Sequence, residues 1–226
     1  MPYLIILLLL IALIFGPQWW ASYTFRRYSK TREEFPGSGG ELAEHLLKRF
    51  EISAVVEQTE KGDHYDPNDR MVRLSPDNFS GKSLTAIAVA AHEVGHAIQH
   101  KNSEPLLATR SRLIIFAQRA EKIGAILMFA IPIVALITRL PHSGILLFLL
   151  GFGSMALATV VHLVTLPVEW DASFNKALPI LREGNYIDKR DERAVRRILQ
   201  AAALTYVAAS LASLLSLARW LTFLRR

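Results

Sequence analysis

The sequence predicts a mainly α fold, in which multi-pass membrane helices accompany a small α+β domain whose short strands precede one buried helix. Two observations support this prediction. Of the 226 residues, 51% are hydrophobic and only 20% are charged, whereas a soluble domain carries about 25% charged residues. The apolar residues are concentrated in a few long runs, which is typical of membrane-crossing helices rather than of one large core.

The charged residues indicate contact with lipid rather than with nucleic acid. The net charge is +6, and the basic residues Arg26, Arg27, Lys30 and Arg32 follow the first apolar run. Basic residues beside an apolar run face anionic lipid and stay on the cytoplasmic side, and the sequence has no nucleic-acid recognition motif. We therefore expect the bilayer of the cell (plasma) membrane as a partner, and no nucleic acid.

The N-terminal segment, residues 1–25, is predicted to be a retained transmembrane anchor. Residues 3–15 are almost entirely apolar, and Trp19 and Trp20 follow where an interfacial aromatic pair is expected. A cleaved signal peptide is the alternative, but it would carry positive charge before the apolar run and small residues after it. With the basic residues inside, the N-terminus lies outside the cell.

Residues 35–122 are predicted to hold the α+β domain. A linker rich in Gly and Pro at 35–40 precedes an amphipathic helix at 41–50. Short strands follow at 52–56 and 71–74.

The most apolar element of this region is a helix predicted over 83–100. It is rich in Ala, Ile and Val, and a helix that is apolar on all sides is buried. Ser80 and Ser83 are both candidate N-caps, and the sequence does not choose between them.

The C-terminal half is predicted to contain the remaining membrane helices. Residues 123–166 form a transmembrane hairpin, and its second helix, 143–166, has no acidic or basic side chain except His162. Residues 167–200 form a separate segment, the one that contains Glu169, and within it residues 182–197 are charged and partly helical. Residues 201–226 are a C-terminal hydrophobic helix, which crosses the membrane, lies along it or is a buried helix of a soluble domain.

The chemistry of the sequence is concentrated in an HExxH motif, His92, Glu93 and His96, inside the predicted buried helix. Residues four apart lie one above the other on a helix. The two imidazoles can therefore bind one Zn²⁺, and Glu93 can take a proton from water beside the metal. Two His and a Glu without partners would be costly to bury. Since the chain has no cysteine, any metal must be held by His and carboxylate ligands.

A hydrolytic zinc site needs a third protein ligand and leaves the fourth position to water. His100 lies another turn along the helix, about 6 Å beyond His96, so a straight helix cannot place His92, His96 and His100 around one ion. Glu169 is the better candidate, because a carboxylate at the end of an apolar run needs a partner; an interfacial pair with Arg is the alternative. Two membrane crossings between the motif and Glu169 would return the chain to the same, cytoplasmic face.

A resemblance to a known family rests on four stretches: DHYDP at 63–67, VRLSP at 72–76, AAHEVGHAIQH at 90–100 and LPVEWDAS at 166–173. Through them the chain resembles the YugP-type membrane neutral zinc metallopeptidases over nearly its whole length. These are in turn similar to the HtpX-like gluzincins, whose third zinc ligand is the Glu of an ExxAD pattern. The resemblance implies a zincin-like catalytic domain at 35–122 and Glu169 as the third ligand.

The final Asp of the gluzincin pattern is Ser173 in this chain. The residue that usually supports a zinc ligand is therefore missing. Asp171 either takes this role, holding a His ring by its far nitrogen, or is an ordinary surface carboxylate.

Motif and resemblance together predict an integral-membrane zinc-dependent endopeptidase. It would hydrolyse peptide bonds of membrane-associated or unfolded proteins with zinc-activated water and Glu93 as the general base. The alternative is a scaffold or chaperone-like membrane protein with a vestigial zinc site, although such a protein has no need of Glu93. A structural membrane protein with a chance HExxH is a further alternative, which a metal assay would exclude.

Two nearby segments allow two interpretations each. Residues 71–74 are either an edge strand that pairs with an extended substrate peptide or a plain structural strand. His64 or Tyr65 stabilises the oxyanion, or the turn at 62–70 is simply fixed by its Asp side chains.

Overall fold

The computed structural model describes residues 2–138 and 141–205, and over them the chain is mostly helical with one small sheet. The elements in chain order are α1 (Pro2–Tyr28), α2 (Gly39–Arg49), β1 (Val55–Gln58), β2 (His64–Asp66), β3 (Met71–Leu74), α3 (Pro76–Ser80), α4 (Leu84–Lys101), α5 (Pro105–Thr138), α6 (Pro141–Trp170), a π-helical segment (Asp171–Ala177), α7 (Leu178–Glu183), a 3₁₀ turn (Lys189–Asp191) and α8 (192–205).

The chain divides into two compact units. The first comprises residues 19–108 and 167–205, and the second takes in the described residues of 1–18 and 109–166. The first unit contains the sheet, α4 and the π-helical segment.

The mainly helical character and the small sheet before the HExxH helix agree with the sequence prediction. The prediction of multi-pass membrane helices is wrong. A crossing needs about 20 consecutive apolar residues in one helix, and none of the helices, over 2–138 and 141–205, is long and apolar enough to cross a bilayer. The predicted C-terminal hydrophobic helix is seen over 201–205, where the chain is helical; its remainder lies outside the described residues.

Within the second unit, α5 and α6 carry both buried and exposed apolar side chains. Ala117 and Val161 are buried together, and Leu113 packs against them. Large apolar side chains elsewhere on the two helices are exposed, among them Phe129, Leu136, Ile137 and Leu149.

The three strands of the first unit form a sheet in the order β1-β3-β2. β1 runs parallel to β3 with Val56 opposite Val72, and β2 runs antiparallel to β3 with Tyr65 opposite Val72. The central position of β3 contradicts its interpretation as an edge strand, because both of its sides are already paired. β2 formed inside the segment that the sequence predicted to be only a polar turn, and β1 begins three residues later than its predicted counterpart.

Helix α4 is the central element of the first unit. The Ser83 hydroxyl accepts the backbone N–H of Ala86 at 3.1 Å, so Ser83 is the N-cap of this helix. Nearly every residue from Leu84 to Ala97 is buried, as expected for a helix that is apolar on all sides. Its neighbours are α2, α3, the sheet, the π-helical segment and α7. Fully buried side chains on these neighbours include Leu46, Leu74 and Leu181, each of which stabilises the fold by about 1.5–3 kcal/mol.

Candidate metal centre

The HExxH residues lie in the buried middle of α4. His92 and His96 are only 3% and 1% exposed, and their ring centroids are 4.8 Å apart. Both imidazoles therefore lie on one face of the helix, as their spacing of four residues predicts. Glu93, the next residue after His92, is also buried, at 6% exposed.

Glu169 reaches this pair from the last turn of α6 and is 1% exposed. One of its carboxylate oxygens, Oε2, lies 3.1 Å from Nε2 of His96 and 3.4 Å from Nε2 of His92. The three side chains form a buried group whose ligand atoms all lie within 4.8 Å of one another. The structure thus brings together the three residues that the sequence proposed as zinc ligands.

Two of the three distances within this group, those from the Glu169 carboxylate to the two imidazoles, fit a tetrahedral zinc ion. Two ligand atoms that each lie 2.0–2.2 Å from such an ion are about 3.3–3.6 Å apart. The two distances from Glu169 to His92 and His96, 3.4 and 3.1 Å, agree with this range to within about 0.2 Å. Three nitrogen and oxygen ligands leave a fourth position for water or substrate, which is the arrangement of catalytic rather than structural zinc sites.

Ser173 fixes the orientation and tautomer of His92. Its hydroxyl oxygen lies 3.0 Å from Nδ1 of His92 and 3.2 Å from the carbonyl oxygen of Leu199. A carbonyl only accepts hydrogen bonds, so the hydroxyl donates to Leu199 and accepts the Nδ1–H of His92. Nε2 of His92 is then unprotonated and available to a metal.

Gln99 has the equivalent contact with His96. Its side-chain oxygen lies 2.9 Å from Nδ1 of His96, while its nitrogen donates to the carbonyl oxygen of Val168 at 3.0 Å and to Asp171 at 2.8 Å. Gln99 was not among the site residues predicted from the sequence. The available signal was its spacing, since a residue three positions after His96 lies on the same face of the helix.

Asp171 does not hold a His ring directly: its described partners are Gln99, Asn175 and Lys176. Burial alone would raise the pKa of Asp171, but the hydrogen bonds from Lys176, Gln99 and Asn175 outweigh it and hold the pKa below its usual value. Lys176 also pairs with Glu104 at 3.0 Å. Asp171 is therefore an ionised carboxylate that these partners hold in place. It is connected to His96 through Gln99.

A π-helical segment places Ser173 beneath the motif. It follows α6 without a break, and such wider turns occur frequently at functional sites. The backbone of this segment passes so close to α4 that a Cβ atom on Gly95 would lie 2.6 Å from the carbonyl oxygen of Ala172. Glycine at the fourth position of the HExxH motif is thus required by the approach of the segment that carries Ser173.

His100 is not part of the three-residue group. Its Nδ1 lies 2.8 Å from the hydroxyl of Tyr65, and the rings of the two residues meet edge to face. Burial raises the pKa of Tyr65. Because Tyr65 points to His100, its ring joins β2 to the C-terminal end of α4.

An aspartate side chain holds the segment before His64, although His64 itself begins the strand β2 rather than lying in a turn. Asp63 accepts the backbone N–H and the hydroxyl of Ser75 at 2.7 and 3.0 Å and the amide of Asn78 at 2.8 Å. His64 itself contacts the carbonyl oxygen of Gly62 through Nδ1 at 2.8 Å.

Comparison with known proteins agrees with the chemistry of this site. Residues 3–225 match the profile of a family described as "putative neutral zinc metallopeptidase". The chain is 36% identical over 212 residues to the "putative membrane protease YugP" of Bacillus subtilis (strain 168), and the match covers 91% of this chain and 90% of that protein. No solved structure matches this chain significantly. The match over nearly the whole length shows that the chain belongs to this neutral zinc metallopeptidase family, whose cofactor is zinc.

Proposed function

We propose that this protein is a zinc-dependent endopeptidase, with His92, His96 and Glu169 as the metal ligands and Glu93 as the general base. The observation that carries the proposal is the buried group of two imidazoles and one carboxylate, at distances suited to tetrahedral zinc, next to a glutamate on the same helix. Membership of the zinc metallopeptidase family supports the same reaction class.

Zinc bound at this site supplies a Lewis acid that lowers the pKa of water and polarises the scissile carbonyl. The protein groups do the remaining work. Glu93 accepts the proton of the attacking water and delivers it to the leaving amine. Ser173 keeps the His92 imidazole in the tautomer that presents Nε2 to the metal.

The substrate class that we propose is an extended polypeptide. Such a chain can add to the open side of β1 or β2, because a strand at the edge of a sheet has unpaired backbone groups. β2 is favoured, since its Tyr65 contacts His100, one helical turn beyond the ligand His96. Membrane-associated or unfolded proteins, the substrates expected from the sequence, remain a proposal.

A location at the cell membrane is supported by the name of the Bacillus relative, a putative membrane protease. The side of the membrane that the metal centre faces stays a prediction.

The alternative function is a zinc-binding scaffold without catalysis. A single comparison separates the two functions: purified wild type and the Glu93→Gln variant, each assayed for zinc content and for cleavage of an unfolded protein. If the protein is an enzyme, the wild type cleaves the unfolded protein, and the Glu93→Gln variant keeps its zinc but no longer cleaves. A scaffold binds zinc in both forms and cleaves in neither.

A further inference from the structure

Gln99 is a fully buried neutral side chain, and both its amide oxygen and its amide nitrogen have hydrogen-bond partners. It is 1% exposed and lies on α4 three residues after His96. Burying an amide without hydrogen-bond partners is unfavourable. Here the oxygen faces His96, and the two N–H groups face the Val168 carbonyl and the Asp171 carboxylate.

The partners of Gln99 leave only one orientation for its amide. A backbone carbonyl accepts hydrogen bonds but cannot donate them, so the nitrogen of Gln99 must face Val168, and the same nitrogen lies 2.8 Å from the Asp171 carboxylate. Its oxygen must then face Nδ1 of His96, which has to carry the proton. The opposite amide orientation would place the amide oxygen, itself an acceptor, against the two acceptors Val168 and Asp171.

The same amide joins the two segments that hold the metal ligands. Val168 immediately precedes Glu169, and Asp171 opens the π-helical segment two residues later. Hydrogen bonds to both fix the backbone on either side of Glu169 against α4. Asp171 cannot shift freely, because Asn175 and Lys176 bind its two carboxylate oxygens at 2.7 and 2.8 Å.

From these contacts we infer that Gln99 is a positioning residue of the metal centre. It sets the tautomer of His96, and it fixes the position of the segment that carries Glu169 relative to the HExxH helix. The inference rests on the proposed zinc site and goes beyond it, since it assigns a function to a residue that binds neither metal nor substrate.

Zinc affinity of the purified full-length chain, measured by competition with a chelator, tests this inference with Gln99→Met and Gln99→Glu. Methionine keeps the size of the side chain and removes every hydrogen bond, so we expect zinc affinity to fall about 10- to 100-fold. Glutamate still accepts the proton of His96 but places a carboxylate oxygen against the Val168 carbonyl and the Asp171 carboxylate, so we expect its zinc affinity to fall at least as far. Gln118→Met, on the exposed surface of α5, is the matched control and should bind zinc as wild type does.

Substitution of zinc by Co²⁺ provides a second measurement, because the visible absorption of Co²⁺ reports the geometry of its ligands. We expect an altered spectrum for Gln99→Met and an unaltered one for Gln118→Met. Thermal unfolding of the metal-free forms tests for a purely structural role. For each variant, the loss in the free energy of unfolding of the metal-free form is compared with the loss in the free energy of zinc binding. If the two losses are equal in both Gln99→Met and Gln99→Glu, Gln99 acts through packing and the inference is wrong.

Two further outcomes distinguish failure of the inference from failure of the proposed function. If the wild type binds zinc and the zinc affinity of Gln99→Met lies within twofold of the wild-type value, the inference is wrong but the proposed zinc site stands. A wild type that binds no zinc, or binds it equally well after His92→Ala, would overturn the zinc site and the inference with it.

Discussion

Ser173 contacts His92 on the side of the ring that faces away from the metal position: its Oγ lies 3.0 Å from Nδ1 of His92 and donates onward to the carbonyl oxygen of Leu199. Ser173 is fully buried. In Ser173→Ala the Nδ1–H of His92 loses its acceptor in a site that water does not readily enter. An unpaired buried donor costs about 1–3 kcal/mol, so we expect zinc affinity to fall about 10- to 100-fold.

Chelator competition measures this change, and the exposed Ser53→Ala is its control. Wild-type zinc affinity in Ser173→Ala would mean that His92 is held in place by other contacts.

The three ligands make a separate prediction for metal content. His92→Ala, His96→Ala and Glu169→Ala should each reduce zinc from one per chain to well below half, when the proteins are dialysed against the same chelator, because two remaining ligands bind weakly. His100→Ala is the matched histidine control and should keep its zinc, since His100 contacts Tyr65 rather than the group. Elemental analysis gives the stoichiometry, and full zinc occupancy in Glu169→Ala would contradict the assignment of the third ligand.

Glu93→Gln should separate catalysis from metal binding. Glutamine has the size of glutamate but cannot accept the proton of the attacking water, so we expect cleavage to fall by about 10²- to 10⁴-fold. Zinc content and the far-UV circular dichroism spectrum should match the wild type. Cleavage at the wild-type rate in this variant would show that another residue is the base.

Gly95→Ala should disturb the metal centre without changing any ligand. The added Cβ would lie 2.6 Å from the carbonyl oxygen of Ala172, so the π-helical segment must move. We expect a loss of about 1–3 kcal/mol in the free energy of unfolding, together with weaker zinc binding. Gly153→Ala, where a Cβ meets no atom within 4 Å, is the control and should be neutral or slightly stabilising. Equal stability of the two variants would contradict the close approach at Gly95.

The lowered pKa of Asp66 predicts how the free energy of unfolding changes as the pH falls. Burial alone would raise the pKa of Asp66, but the backbone N–H groups of Asn68 and Asp69 and the Arg73 guanidinium outweigh it and lower the pKa. The ionised form therefore contributes stability above the unfolded-state pKa of about 3.9, and this contribution disappears as the pH falls through the lower pKa of the folded state.

Urea unfolding between pH 2 and 5 tests this effect in Asp66→Asn, which keeps an oxygen for the turn but loses the charge. We expect the variant to lose less stability than the wild type on acidification. Asp77→Asn, at an exposed position on α3, should retain the wild-type pH dependence. The same acid dependence in Asp66→Asn and wild type would contradict the prediction.

The sequence by itself determined the elements whose residues are close in the chain. A spacing of four residues places His92 and His96 on one helical face whatever surrounds the helix, and β3 has the predicted bounds, Met71–Leu74. Glu169 was also found, although it lies 73 residues after His96. A carboxylate at the end of an apolar run and the family resemblance pointed to it.

Other features were decided only by the tertiary structure. The order β1-β3-β2 depends on pairing between segments, so the sequence could not show that β3 is central. The predicted membrane helices relied on apolar composition, and the described helices do not have the length and apolarity that a crossing requires. Ser173 and Gln99 have ordinary side chains, and they support His92 and His96 only because the π-helical segment packs against α4. Short-range periodicity follows from consecutive residues, whereas hydrogen-bond partners that lie 72 and 81 positions apart are determined by how the chain packs.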